Sequence, residues 1–128
     1  MKILIADPHP EILSALRLVV DRIPEITQVS DAGSLVGLLA QCAQECPDLI
    51  LLDLELSCPS RSRTQPLPDM LNVLHHLCPH AKVMVMSSQL EGEQAALEAG
   101  ANDFFSKMDP PDVVLSKIVR FSSSHSQK

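Results

Sequence analysis

The stretch Asp48-Leu49-Ile50-Leu51-Leu52-Asp53 decides the fold. Four consecutive aliphatic side chains stand between two carboxylates. A strand points successive side chains to opposite faces, so an unbroken apolar run needs cover on both. That marks a central strand of a parallel sheet. The theme recurs along the chain. Residues 2–6 form a second apolar run, closed by Asp7, and residues 82–86 a third, closed by Ser87-Ser88. Residues 103–106 form a shorter run closed by Lys107, and residues 26–29 a weaker one.

Helical spacing fills the intervals. Pro10 opens a helix carrying Ile12, Leu16, Val19, Val20 and Ile23, and Pro24 stops it. Ser34 caps a second with Leu35, Leu38, Leu39, Cys42 and Cys46 on one face, ended by Pro47. Asp69 caps a third through Met70, Leu71, Val73, Leu74 and Leu77. A fourth holds Ala95, Ala96, Leu97 and Ala99, with Gly100 as its stop. A fifth starts at Asp109-Pro110-Pro111 and carries Val113, Val114, Leu115, Ile118 and Val119. Five strands alternating with five helices predict an α/β fold, a single doubly wound five-stranded parallel sheet. The expected domain is residues 1–121, with 122–128 as a Ser-rich tail or the start of a linker.

Composition narrows the function. The chain has 128 residues, 45% of them hydrophobic, enough for one core without metal or disulfide staples. Ten Lys+Arg against 16 Asp+Glu give a net charge of −6, which speaks against direct nucleic-acid binding. Three Phe and no Trp or Tyr leave no platform for stacking bases or sugars. The first apolar run is too short for a signal peptide or a membrane span, so a cytoplasmic protein with no membrane contact is expected. Of the four cysteines, Cys42, Cys46, Cys58 and Cys78, only the first two are close in sequence, and free thiols are expected. The Pro- and Ser-rich residues 57–68 predict an irregular, mobile loop.

In a parallel sheet the residues that close the runs meet at one edge, beyond the carboxyl ends of the strands. Here they are Asp7, Asp53, Ser87 and Lys107. Two carboxylates, a hydroxyl and an ammonium form a site for a divalent cation and a phosphoryl group. A carboxylate there can attack phosphorus and form an acyl phosphate.

Four blocks now carry a resemblance. Ile3-Leu4-Ile5-Ala6-Asp7-Pro8-His9-Pro10, Leu49-Ile50-Leu51-Leu52-Asp53, Met86-Ser87-Ser88 and Ala99-Gly100-Ala101-Asn102-Asp103-Phe104-Phe105-Ser106-Lys107 resemble, in order, the signature blocks of response-regulator receiver domains of two-component signalling. The likeness runs to about Arg120. It is strongest to receivers of helix-turn-helix transcriptional regulators. It implies a flavodoxin-like (βα)5 fold with strand order 2-1-3-4-5. It implies that Asp53 is the phosphoacceptor and that Asp7, Asp53 and the backbone carbonyl of Glu55 hold Mg2+. Ser87 matches the hydroxyl that bonds the phosphoryl group, Lys107 the lysine that pairs with it, and Phe104 the switch aromatic. Implied partners are a histidine kinase or histidine phosphotransfer protein, a C-terminal DNA-binding output domain, and a second copy in a homodimer. Such a domain catalyses only its own phosphorylation and dephosphorylation.

The departures matter equally. Pro8 stands where the family carries a second acidic residue, which predicts weak Mg2+ binding. Ser57 replaces a family proline; the loop before Asp69 is longer than usual, and the segment from Ser87 to Lys107 shorter. Pro8 also keeps open a pseudo-receiver, a phosphorylation-independent interaction module. A third reading, an enzyme of the haloacid-dehalogenase type, rests on a faint likeness of residues 49–57 to that family's nucleophile motif. Bland readings stay beside the sharp ones. Asp7 suits ordinary Asp-Pro turn chemistry, Ser88 can share the role of Ser87, and Phe104 can be plain packing. His9 reads as a loop residue; His75, His76, His80, Arg61 and Arg63 read as solvated surface.

Overall fold

A computed structural model describes residues 1–57, 67–88 and 92–126. Five strands, β1 (Lys2–Ala6), β2 (Gln28–Ala32), β3 (Leu49–Asp53), β4 (Lys82–Ser87) and β5 (Asp103–Ser106), form one parallel sheet in the order β2-β1-β3-β4-β5. The helices are α1 (Pro10–Val20), α2 (Leu35–Gln44), α3 (Leu54–Ser57), α4 (Leu67–Leu77), α5 (Gly92–Glu98) and α6 (Pro111–Ser126). The expected doubly wound sheet and strand order are both present.

Strand alternation splits the core in two. Ile3, Ile5, Leu49, Leu51, Met84, Met86 and Phe105 bury one sheet face under α1 and α6. Leu4, Ala6, Ile50, Leu52, Val83, Val85 and Phe104 bury the other face, under α2, α4 and α5. All five residues of β3 are buried, as its unbroken apolar run requires. Each fully buried Leu or Ile contributes about 1.5–3 kcal/mol, so β3 is the anchor that sets the position of Asp53.

Several boundaries differ from those expected. β2 was expected at residues 26–29 and lies at Gln28–Ala32, because its ladder with β1 pairs Lys2 with Gln28 and Ala6 with Ala32. Ile26 packs against the core ahead of the strand. As an edge strand, β2 tolerates the polar Gln28, Ser30 and Asp31. Ser34 does cap α2, its Oγ accepting the Gly37 N–H at 3.1 Å. Cys46, however, lies beyond that helix. The helical turn α3, directly after Asp53, was not expected; it buries Leu56. α4 starts at Leu67, so Asp69 sits in its first turn instead of capping it, where a carboxylate still favours the positive end of the helix dipole. α6 continues to Ser126, past the end of its apolar pattern. Gly100 stops α5 with φ +111°, a conformation only glycine adopts freely. The mobility expected of residues 57–68 falls mainly on residues 58–66, which lie outside the described residues.

One cysteine expectation is overturned. Cys46 and Cys78 form a disulfide with Cα atoms 5.5 Å apart, while Cys42 is a buried free thiol. The 32-residue separation hid the pair. Both cysteines follow helix C-termini, on α2 and α4, at the end of the sheet opposite Asp53.

Candidate functional site

The register brings the strand-closing residues together. Ala6 pairs with Leu52, so Asp7 and Asp53 leave adjacent strands side by side. Asp53 pairs with Met86, and Ser87 with Ser106, which places Ser87 and Lys107 at the same edge. Asp7 and Asp53 are 0% and 1% exposed, and Ser87 is also buried.

Two adjacent buried carboxylates repel, and Lys107 answers them. Its Nζ lies 2.8 Å from Asp7 Oδ2 and 2.9 Å from Asp53 Oδ1. Burial pushes the Asp53 carboxyl above its ordinary range; the hydrogen bond from Lys107 opposes this, and the charges of Asp7 and Glu55 reinforce it. Burial pulls the Lys107 ammonium down, but its hydrogen bonds to Asp7 and Asp53 outweigh that and hold it above the usual lysine value. Asp53 Oδ2 is buried and finds no hydrogen-bond partner among the described residues. A buried, unpaired acceptor is costly, about 1–3 kcal/mol, so the atom stands ready for a ligand.

The turn after β5 holds Lys107. Its backbone N–H donates to the Ser87 carbonyl at 2.8 Å. Asp109 Oδ2 accepts the Ser106 N–H at 2.9 Å, and Ser106 Oγ accepts the Met108 N–H at 3.0 Å. Asp109, read from sequence as a helix-start residue, thus braces the Lys107 turn; a helix that begins only at Pro111 leaves its side chain free to do so. Gly92 opens α5 against Ser87, where an added Cβ would lie 3.5 Å from Ser87 Oγ. Phe104 is 3% exposed and packs inside the sheet face under α2, α4 and α5.

His9 joins the site, contrary to its reading as a plain loop residue. Its Nδ1 is 2.9 Å from Asp7 Oδ1, and its backbone N–H donates to the same oxygen at 2.8 Å. Its Nε2 is 3.9 Å from Glu55 Oε1. Asp7, His9 and Asp53 each offer a ligand atom, all within 4.8 Å of one another. The Asp-Pro-His spacing was the available signal: proline holds Asp7 extended, so the chain turns back over its carboxylate. Glu11 is exposed on the first turn of α1. Two buried acidic groups, an orphaned carboxylate oxygen and an adjacent imidazole suit a divalent cation.

Comparison with known proteins identifies the family and the fold. Residues 3–119 match the response regulator receiver domain family. The Transcriptional activator protein ExaE of Pseudomonas putida is 32% identical over 127 residues, 98% of this chain. The chain spans 56% of that protein's length. A CheY-like response regulator receiver domain protein from Methanospirillum hungatei JF-1 superposes with TM-score 0.78 at 24% identity, covering 98% of this chain and 96% of that one. NtrX from Brucella abortus gives TM-score 0.80 at 22% identity, covering 98% of this chain and 27% of its own. These structures share the fold. The chain belongs to the response-regulator receiver family. Among the described residues, no helix is long and apolar enough to cross a membrane.

Proposed function

We propose that this receiver is a phosphorylation-activated signalling switch that accepts a phosphoryl group on Asp53 from a histidine kinase or a histidine phosphotransfer protein. The observation that carries this reading is Asp53 Oδ2, buried and unpaired beside the Lys107 ammonium. That oxygen attacks phosphorus, the bond from phosphorus to the donor nitrogen breaks, and an acyl phosphate forms. A divalent cation held by Asp7, Asp53 and the backbone carbonyl of Glu55 would neutralise phosphoryl oxygens. Lys107 pairs with the transferred charge, and Ser87 supplies the hydroxyl that bonds it. The domain acts only on itself and turns over no small-molecule substrate.

The added charge biases two conformations of one fold. The readout surface is α5, β5 and α6, where Leu97, Val113 and, in the turn between β5 and α6, Met108 expose apolar side chains at 45%, 39% and 80%. A C-terminal DNA-binding domain is the partner proposed for it, in keeping with the name of the ExaE relative. The pseudo-receiver alternative draws on Pro8, which removes an acidic group from the site.

Intact-mass measurement after incubation with acetyl phosphate and Mg2+ tests the proposal. Wild type gains one phosphoryl group and Asp53→Asn gains none. Wild type that stays unmodified across donor concentrations and pH makes the chain a pseudo-receiver.

A further inference from the structure

We propose that His9 is a third side-chain ligand of the cation site and that it turns the preference of this receiver from magnesium to a divalent transition ion of the cobalt-to-zinc kind. The inference rests on Asp7 and Asp53 forming a cation site.

Four observations carry it. First, His9 Nδ1 and Asp7 Oδ1 are 2.9 Å apart. Neighbouring ligands bound about 2.1 Å from one ion lie about 3 Å apart, so a single ion takes both with little movement as it displaces to solvent the Nδ1 proton that bridges them. Second, the loop is fixed in this arrangement. The His9 backbone N–H donates to the same Asp7 oxygen at 2.8 Å, and His9 is extended at φ −102°, ψ 113° ahead of the first turn of α1. Third, Lys107 engages Asp7 Oδ2 and Asp53 Oδ1; the orphaned Asp53 Oδ2 is open to an ion, and Asp7 Oδ1, which accepts the His9 backbone N–H, frees its second lone pair when His9 Nδ1 turns from that oxygen to the ion. Fourth, the other imidazole nitrogen faces Glu55 Oε1 at 3.9 Å. A metal-bound histidine characteristically passes its second N–H to a carboxylate, which fixes the ring and raises its basicity.

The chemistry of the donors sets the selectivity. Magnesium takes hard oxygen ligands in strict octahedral geometry and is poorly served by imidazole. Cobalt, nickel and zinc accept imidazole well. Pro8 withdraws one oxygen ligand from the site, and His9, one residue further on, offers a nitrogen. The exchange weakens the site for magnesium and keeps it for the softer ions.

The test is direct binding, independent of phosphorylation. The other four histidines are removed first as His75→Gln, His76→Gln, His80→Gln and His125→Gln. Co2+ is then titrated by visible absorption and calorimetry, with Mg2+ as competitor. Co2+ should bind at least about tenfold more tightly than Mg2+ and shift the His9 ring signals in NMR. His9→Ala should weaken Co2+ binding about tenfold or more and leave Mg2+ affinity nearly unchanged. His9→Asp, which supplies oxygen in place of nitrogen, should move the preference back towards Mg2+. If Asp53→Asn abolishes Co2+ binding and His9→Ala leaves it unchanged, the cation site stands and His9 is not its ligand. If neither variant alters Co2+ binding, the ion sits elsewhere and the proposal falls with the cation site.

Discussion

Lys107 Nζ lies 2.9 Å from Asp53 Oδ1 and closes the space between two buried carboxylates. In the cation-free protein this ammonium is what makes the juxtaposition of Asp7 and Asp53 tolerable. Its raised pKa means its contribution is fully present at neutral pH and is lost only in alkali, above the ordinary lysine value of about 10.4. Removing one partner of a buried pair costs about 3–5 kcal/mol. Lys107→Met, which keeps the stem and deletes the charge, should therefore lower unfolding free energy by about 3 kcal/mol in urea with chelator. Millimolar Mg2+ should restore part of the loss by standing in for the missing charge. A variant as stable as wild type in chelator would show that the two carboxylates do not need the lysine.

Asp53 gives the opposite sign. Burial, the largest influence, raises its pKa in the folded protein, with Asp7 and Glu55 adding to the rise and Lys107 opposing it. A raised carboxyl pKa makes the folded state hold its proton to higher pH than the unfolded chain. The contribution of Asp53 to stability is thus most favourable below the unfolded value of about 3.9 and is lost as pH rises through the folded value. Asp53→Asn should be more stable than wild type at pH 7 in metal-free buffer, and the gap should narrow as pH falls towards about 4. Urea midpoints of both proteins between neutral and acid pH measure it. Parallel curves would mean that Asp53 titrates no differently in the folded state.

β3 was readable because an apolar run buried on both faces has few other uses, and its end at Asp53 came with it. The strand-closing positions of Asp7, Ser87 and Lys107 were readable because parallel strands put their carboxyl ends at one edge. β2 was placed two residues early because an edge strand need not be apolar; pairing with β1 sets its position, and pairing is not local. The Cys46–Cys78 bond was hidden for the same reason, since only the packing of α2 beside α4 joins residues 32 apart. His9 and Asp109 escaped because each lies in a short turn whose side-chain direction depends on neighbouring backbone.

Pro8 yields the prediction that bears most directly on signalling. The position after Asp7 is where receivers carry a second acidic group, and here it holds neither charge nor a backbone N–H. The side chains gathered for a cation are Asp7, His9 and Asp53, only two of them anionic. Magnesium keeps several waters and relies on few carboxylates, so each one matters. Losing a charged partner of this kind costs on the order of 1–3 kcal/mol, which corresponds to about fivefold to about 150-fold in affinity. Pro8→Asp should therefore bind Mg2+ at least about fivefold more tightly than wild type and be phosphorylated on Asp53 faster at limiting Mg2+. Calorimetric titration with Mg2+ measures the first effect, and intact mass followed over time with acetyl phosphate the second. The substitution also frees the 7–9 turn from proline's restriction, so Pro8→Ala is the control that separates charge from backbone. If Pro8→Ala matches Pro8→Asp, the gain comes from loop freedom. If neither variant binds Mg2+ better than wild type, another oxygen already fills the place of the missing carboxylate. The exposed Glu55 side chain, which turns towards His9, is then the first group to remove.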